Sequence, residues 1–144
     1  MRSFCTESCS CNYTANSFID SADCSSRSLQ ENFIYKVIYL ITLSLSNKTL
    51  LTSQNIITLD LSHNLISSTD AYMFSLFLNL EYFDLSYNQI KTIADGSLSS
   101  LTKLKILKLN NNLLTSISLN TLNGLNNLEQ LYINNNLFKT ITHL

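Results

Sequence analysis

The chain has 144 residues, nine Lys+Arg against ten Asp+Glu for a formal net charge of −1, no proline, no tryptophan and two glycines. That length supports one domain around one continuous core, and charges of both signs spread evenly along it exclude binding to nucleic acid by charge. The longest apolar stretch, residues 32–46, is too short for a membrane span and is broken by Lys36, so no transmembrane helix is expected.

In chain order, residues 1–39 come first and hold all four cysteines, Cys5, Cys9, Cys11 and Cys24, spaced C-x3-C-x-C-x12-C. Four cysteines allow three pairings, and a bond between Cys9 and Cys11 would strain disulfide geometry because its loop is so short. A four-thiolate zinc site is the competing reading, but such sites carry paired C-x2-C knuckles and none is written here. No apolar leader precedes Cys5; if the protein is secreted, its leader has been removed or lies outside this sequence. The sequons at Asn12 and Asn47 are candidate glycan acceptors in a secretory pathway.

Residues 40–55 read as an imperfect first repeat, with Leu40, Leu43, Leu45 and Leu50 in place but Lys48 where later units have asparagine. From residue 56 the period is strict at 24: units 56–79, 80–103, 104–127 and a partial 128–144. Positions 1, 4, 6 and 11 are apolar in every unit, as in Leu80, Phe83, Leu85 and Ile90. Position 9 is always asparagine: Asn64, Asn88, Asn112 and Asn136. Positions 4, 5 and 6 alternate in, out, in, the period of a short strand. One strand cannot bury its apolar side alone, so successive units stack into a parallel sheet. The rest of each unit returns to the next strand, and Ile93, Ile117, Ile141, Phe74, Leu98, Leu122, Phe77, Leu101 and Leu125 close the far side of the core. Thr69 is the exception at position 14. The recurrent asparagine is expected to satisfy turn backbone groups in its own coil and the next.

The string L-x-x-L-x-L-x-x-N-x-L resembles that of the leucine-rich repeat proteins of the typical 24-residue class. The resemblance implies an α/β repeat solenoid: a right-handed coil with one short parallel strand per repeat on the concave face and irregular, 3-10 or short helical returns. The cysteine cluster just ahead of the repeats resembles the N-terminal cap of the extracellular members. In that cap the first cysteine pairs with the third and the second with the fourth, which implies Cys5–Cys11 and Cys9–Cys24. Such a cap covers the apolar end of the first coil and implies an oxidising compartment, outside the cell or on its surface.

Asp60 and Asp84 share position 5, and adjacent strands would set them at roughly the 5 Å spacing of a retaining glycosidase pair. An open sheet face is expected to give both the same solvated environment, whereas acid–base work needs two different ones, so they read as surface residues. His63 and His143 occupy unrelated positions and have no ligand spacing around them. No phosphate loop, nucleophile elbow or metal motif is present, and neither catalysis nor a cofactor is expected.

Function is expected on the variable strand positions 3, 5, 7 and 8: Thr58, Asp60, His63, Tyr82, Asp84, Tyr87, Lys108, Asn110, Gln130, Tyr132 and Asn134. Tyr82, Tyr87 and Tyr132 are the natural anchors, since tyrosine buries a large area at small entropic cost. The resemblance to Toll-like receptors, variable lymphocyte receptors and Slit-like proteins implies an extracellular recognition module, a glycoprotein of receptor or innate-immune type, binding a protein ligand that can itself carry glycan or lipid. The alternatives are a matrix protein resembling the small leucine-rich proteoglycans, or an intracellular scaffold if the cysteines are reduced. The twelve residues before the fourth cysteine exceed the gap in both proteoglycan and receptor caps. The last unit stops in mid-return without a second cysteine cluster, which reads as part of a longer chain or as an open edge used for dimerisation.

Overall fold

The computed structural model describes residues 9–13, 19–26, 56–71 and 73–139. Strands β1 (Ser10–Tyr13) and β2 (Ile19–Asp23) form an antiparallel pair ahead of the repeats. The repeats supply β3 (Thr58–Asp60), β5 (Tyr82–Asp84), β7 (Ile106–Lys108) and β8 (Gln130–Tyr132), all parallel to one another. The six-stranded sheet runs β1-β2-β3-β5-β7-β8, and β2 pairs directly with β3. The expected imperfect repeat at 40–55 lies outside the described residues, as do Cys5 and Asn47.

The register keeps the repeat to the residue. Leu59 lies opposite Phe83, Phe83 opposite Leu107, and Leu107 opposite Leu131. Positions 4 and 6 point inward: Leu59, Leu61, Phe83, Leu85, Leu107 and Leu109 are all buried. From the return side come Phe74, Phe77, Leu98, Leu101 and Leu125, also buried, with the edge of Phe74 set against Phe83 at 4.8 Å between ring centroids. Each such side chain contributes about 2 kcal/mol by leaving water. Each inner coil depends on its neighbours for that burial.

The return segments are chains of tight turns. Phe77 N–H donates to Phe74 O, Leu101 to Leu98 O and Leu125 to Leu122 O. One return tightens into a single helical turn, α1 (Leu119–Leu122), capped by the Ser118 hydroxyl accepting from Thr121 N–H. A second, two-stranded sheet, β4 (Ser68–Thr69) with β6 (Thr92–Ile93), joins the first two returns. The apparent exception Thr69 is buried after all: its hydroxyl lies 3.2 Å from the Ser97 hydroxyl and accepts from Ala94 N–H. A polar pair therefore replaces apolar contact at that position.

The asparagine ladder ties the coils together, although in the direction opposite to the one expected. Asn88 Nδ2 donates to Leu85 O and Ser86 O in its own coil and to Leu61 O in the preceding one, while its Oδ1 accepts from Ile66 N–H, also in the preceding one. Asn112 and Asn136 repeat the pattern one and two coils on. Asn64 reaches back to Cys24 O, so the cap takes the place of the coil that would precede the first repeat.

Candidate functional site

The cap's last strand continues the repeat. Ala22 lies opposite Leu59 and Asp23 opposite Asp60, so Ala22-Asp23-Cys24-Ser25-Ser26 occupies positions 4–8 of a coil. Cys24 is buried like the leucine it stands for, and it is disulfide-bonded to Cys9, one of the two expected pairs. The other expected pair needs Cys5; Cys11 lies in β1 opposite Ala22, and Asn12 opposite Ser21.

On the sheet's solvent face, position 5 forms one row: Asp23, Asp60, Asp84, Lys108, Tyr132, each opposite the next. The aspartates share a local device. Asp23 Oδ1 accepts from Ser25 N–H, Asp60 Oδ1 from Ser62 N–H and Asp84 Oδ1 from Ser86 N–H. Each thereby closes a small turn where the strand ends, the habit of aspartate two residues before a backbone donor.

Asp60 and Asp84 do not share one environment, contrary to the sequence expectation. Asp60 is half-buried, whereas Asp84 is 5% exposed. Tyr82 donates its hydroxyl proton to Asp84 Oδ2 at 3.0 Å, the Ser86 hydroxyl donates to Oδ1 at 2.6 Å, and Lys108 Nζ stands 3.3 Å from Oδ2. Two neighbours differ: Asp84 faces a lysine in the next coil and has Tyr82 beside it in its own, whereas Asp60 faces Asp84 and has Thr58.

Lys108 is the centre of the cluster. Its ammonium lies 5.1 Å from the centre of the Tyr82 ring and 5.9 Å from that of Tyr132, within the range of cation–π attraction. The Tyr82 hydroxyl raises the lysine's pKa as a hydrogen-bond partner of the ammonium, burial opposes that, and the Asp84 charge reinforces it. Burial raises the Tyr82 pKa; the ammonium works against that rise and the Asp84 carboxylate adds to it. The Tyr132 hydroxyl donates to Gln130 Oε1 at 2.8 Å. Tyr82, Asp84, Lys108, Gln130 and Tyr132 are therefore brought together by strand register alone.

Position 8 forms a second row, whose backbone conformation the spacing does not give. Ser26, His63, Tyr87, Asn111 and Asn135 all have left-handed backbone, with φ of 54 to 56°. Asparagine tolerates that conformation; a tyrosine in it costs about 1 kcal/mol. His63 and Tyr87 stack at 4.3 Å with planes 9° apart, and Tyr87 remains 50% exposed. Asn135 Nδ2 donates to Asn111 Oδ1. Of the other expected face residues, Thr58 and Asn110 are half-buried and Asn134 is exposed. Ser62 and Ser86, assigned to the exposed strip by position 7, are buried instead.

Among the described residues no His, Cys, Asp and Glu side chains are grouped in threes that could hold a metal, and no helix is long and apolar enough to cross a membrane.

No curated protein matches the chain. Among solved structures it is similar to an internalin (inlF) from Listeria monocytogenes, at 30% identity and a TM-score of 0.51. The match covers 67% of this chain but 27% of the internalin's, so the chain spans about a quarter of that protein's length. The family model for the leucine-rich repeat matches residues 54–105 and 78–138. Those two segments together cover more than half of the sequence, and with the stacked strands, the asparagine ladder and the disulfide ahead of them, the chain belongs to the leucine-rich repeat family.

Proposed function

We propose that this chain is an extracellular, non-catalytic recognition module that holds a protein partner on the concave, solvent-facing side of its sheet. The observation that carries this reading is the cluster of Tyr82, Asp84, Lys108 and Tyr132. The lysine is held between two rings and against a carboxylate, on a face the core does not use. Aromatic residues flanking a fixed charge make the kind of contact that dominates protein interfaces. Family membership supports a protein partner, and the Cys9–Cys24 bond supports an oxidising compartment. A cell-surface receptor ectodomain and a secreted binder are the two forms this module takes in the reading.

The test is parallel capture from cell-surface extracts with wild type, Tyr82→Ala, Tyr132→Ala and, as an off-face control, Ser116→Ala. Partners lost with both tyrosine variants and kept by the control support the face; partners indifferent to both sink it.

A second reading rests on the outer edge of β8. Leu128, Leu131, Ile133 and Phe138 pack on the core but remain partly exposed, whereas their counterparts in the inner coils are buried. Association of two copies through that edge would appear as a concentration-dependent mass in sedimentation equilibrium, abolished by Phe138→Glu.

A further inference from the structure

On the reading that this face binds a protein, we infer that the contact next to the cap takes an arginine of the partner. Its guanidinium pairs with the Asp60 carboxylate and lies against the stacked rings of His63 and Tyr87.

The ring pair is the first reason. The scaffold accepts asparagine at this left-handed position, as Asn111 and Asn135 show, and those two suit the backbone better than tyrosine does. Tyr87 nevertheless sets a half-exposed ring there, and the ring contact it makes is with His63. Folding does not call for a ring at this position. What the ring provides is a flat, rigid surface beside the strand ends.

Charge is the second reason. The Asp84 carboxylate is matched by Lys108, which faces it. Asp60 has acids opposite it on both sides, Asp23 and Asp84, and among the described residues no lysine or arginine lies within ion-pair distance of it. Its Oδ1 is engaged by Ser62 N–H, and among the described residues no cation stands opposite this carboxylate. His63 follows Asp60 by three residues in the same coil, just past the end of β3.

Arginine meets both demands at once. Its planar group stacks on aromatic faces and forks onto a carboxylate, whereas lysine offers a point charge and an acidic side chain would be repelled.

The probe is a phage-displayed library of random peptides panned on the wild-type chain, with each binder measured again on variants. Asp60→Asn keeps an acceptor for Ser62 N–H, and Tyr87→Asn places the residue already present at two equivalent positions, so both variants are expected to fold. The expected result is enrichment of arginine, with affinity falling about tenfold or more on either variant and falling also in high salt. Binders that depend on Tyr82 and Tyr132, lack arginine and ignore Asp60→Asn would overturn this inference and leave the binding face standing. Binders indifferent to every face variant would overturn both.

Discussion

Lys108 and Asp84 face each other across neighbouring strands, with Nζ 3.3 Å from Oδ2, and Asp84 is the buried member of a row in which Asp60 and Lys108 are half-buried and Asp23 and Tyr132 are exposed. The carboxylate accepts from Ser86 N–H, the Ser86 hydroxyl and the Tyr82 hydroxyl as well. Asp84→Ala leaves those donors unmet in a buried place and removes the lysine's counter-charge. We expect a loss of about 3 kcal/mol in urea denaturation. Asp60→Ala removes one bond from a more exposed site and should cost about 1 kcal/mol.

The same cluster has an alkaline signature. The folded chain holds both Tyr82 and Lys108 above their ordinary pKa values of 10.0 and 10.5. Raised folded values mean that the protonated forms are favoured by folding. Their contribution is therefore complete below pH 10 and is lost as pH rises through the elevated values. Absorbance titration of the phenolates should show Tyr82 ionising late, and Tyr82→Phe should remove that contribution. Stability measured between pH 6 and 9 should not respond to either group.

Coil-to-coil bonding predicts a gradient among the asparagines. Asn88 is buried and makes three donor bonds and one acceptor bond, so Asn88→Ala should cost about 3 kcal/mol. Asn136 lies in the outermost described coil and is half-exposed; water can replace some of its bonds, and its loss should cost about 1 kcal/mol. Equal costs in a denaturant series would contradict the ladder.

The two glycines separate strain from space. Both have left-handed backbone, with φ of 81° at Gly96 and 90° at Gly124. A methyl group at Gly96 meets open space, whereas at Gly124 it would run into the backbone carbonyl of Ser99 in the coil before. Gly96→Ala should cost about 1 kcal/mol, and Gly124→Ala clearly more, about 3 kcal/mol, because backbone must move.

Much of this was legible in the sequence because a strict period carries its own register. The period alone lays Leu59, Phe83, Leu107 and Leu131 opposite one another, and the row at position 5 follows. Environments within the row were less legible. Asp60 and Asp84 share the wording Asp-Leu-Ser, and what separates them is Tyr82, where Asp60 has Thr58, together with Lys108, a residue 24 places further on that enters only through pairing. The direction of the asparagine bonds depends on how one coil is offset from the next, which the period does not state. The left-handed backbone of His63 and Tyr87 was hidden behind residues that rarely adopt it; Asn111 and Asn135 at the same position were the available signal. Ala22-Asp23-Cys24-Ser25 also mirrors Leu59-Asp60-Leu61-Ser62, and a cysteine in a leucine's place concealed the likeness.

The extracellular reading rests on an oxidised cap, and the most direct test is intact mass of the protein from its natural source after thiol alkylation, with and without prior reduction. The account predicts that Cys5, Cys9, Cys11 and Cys24 take up alkyl groups only after reduction, from two disulfides. Alkylation of these four without reduction would contradict it, leaving the Cys9–Cys24 pair open in the cell and the chain an intracellular scaffold.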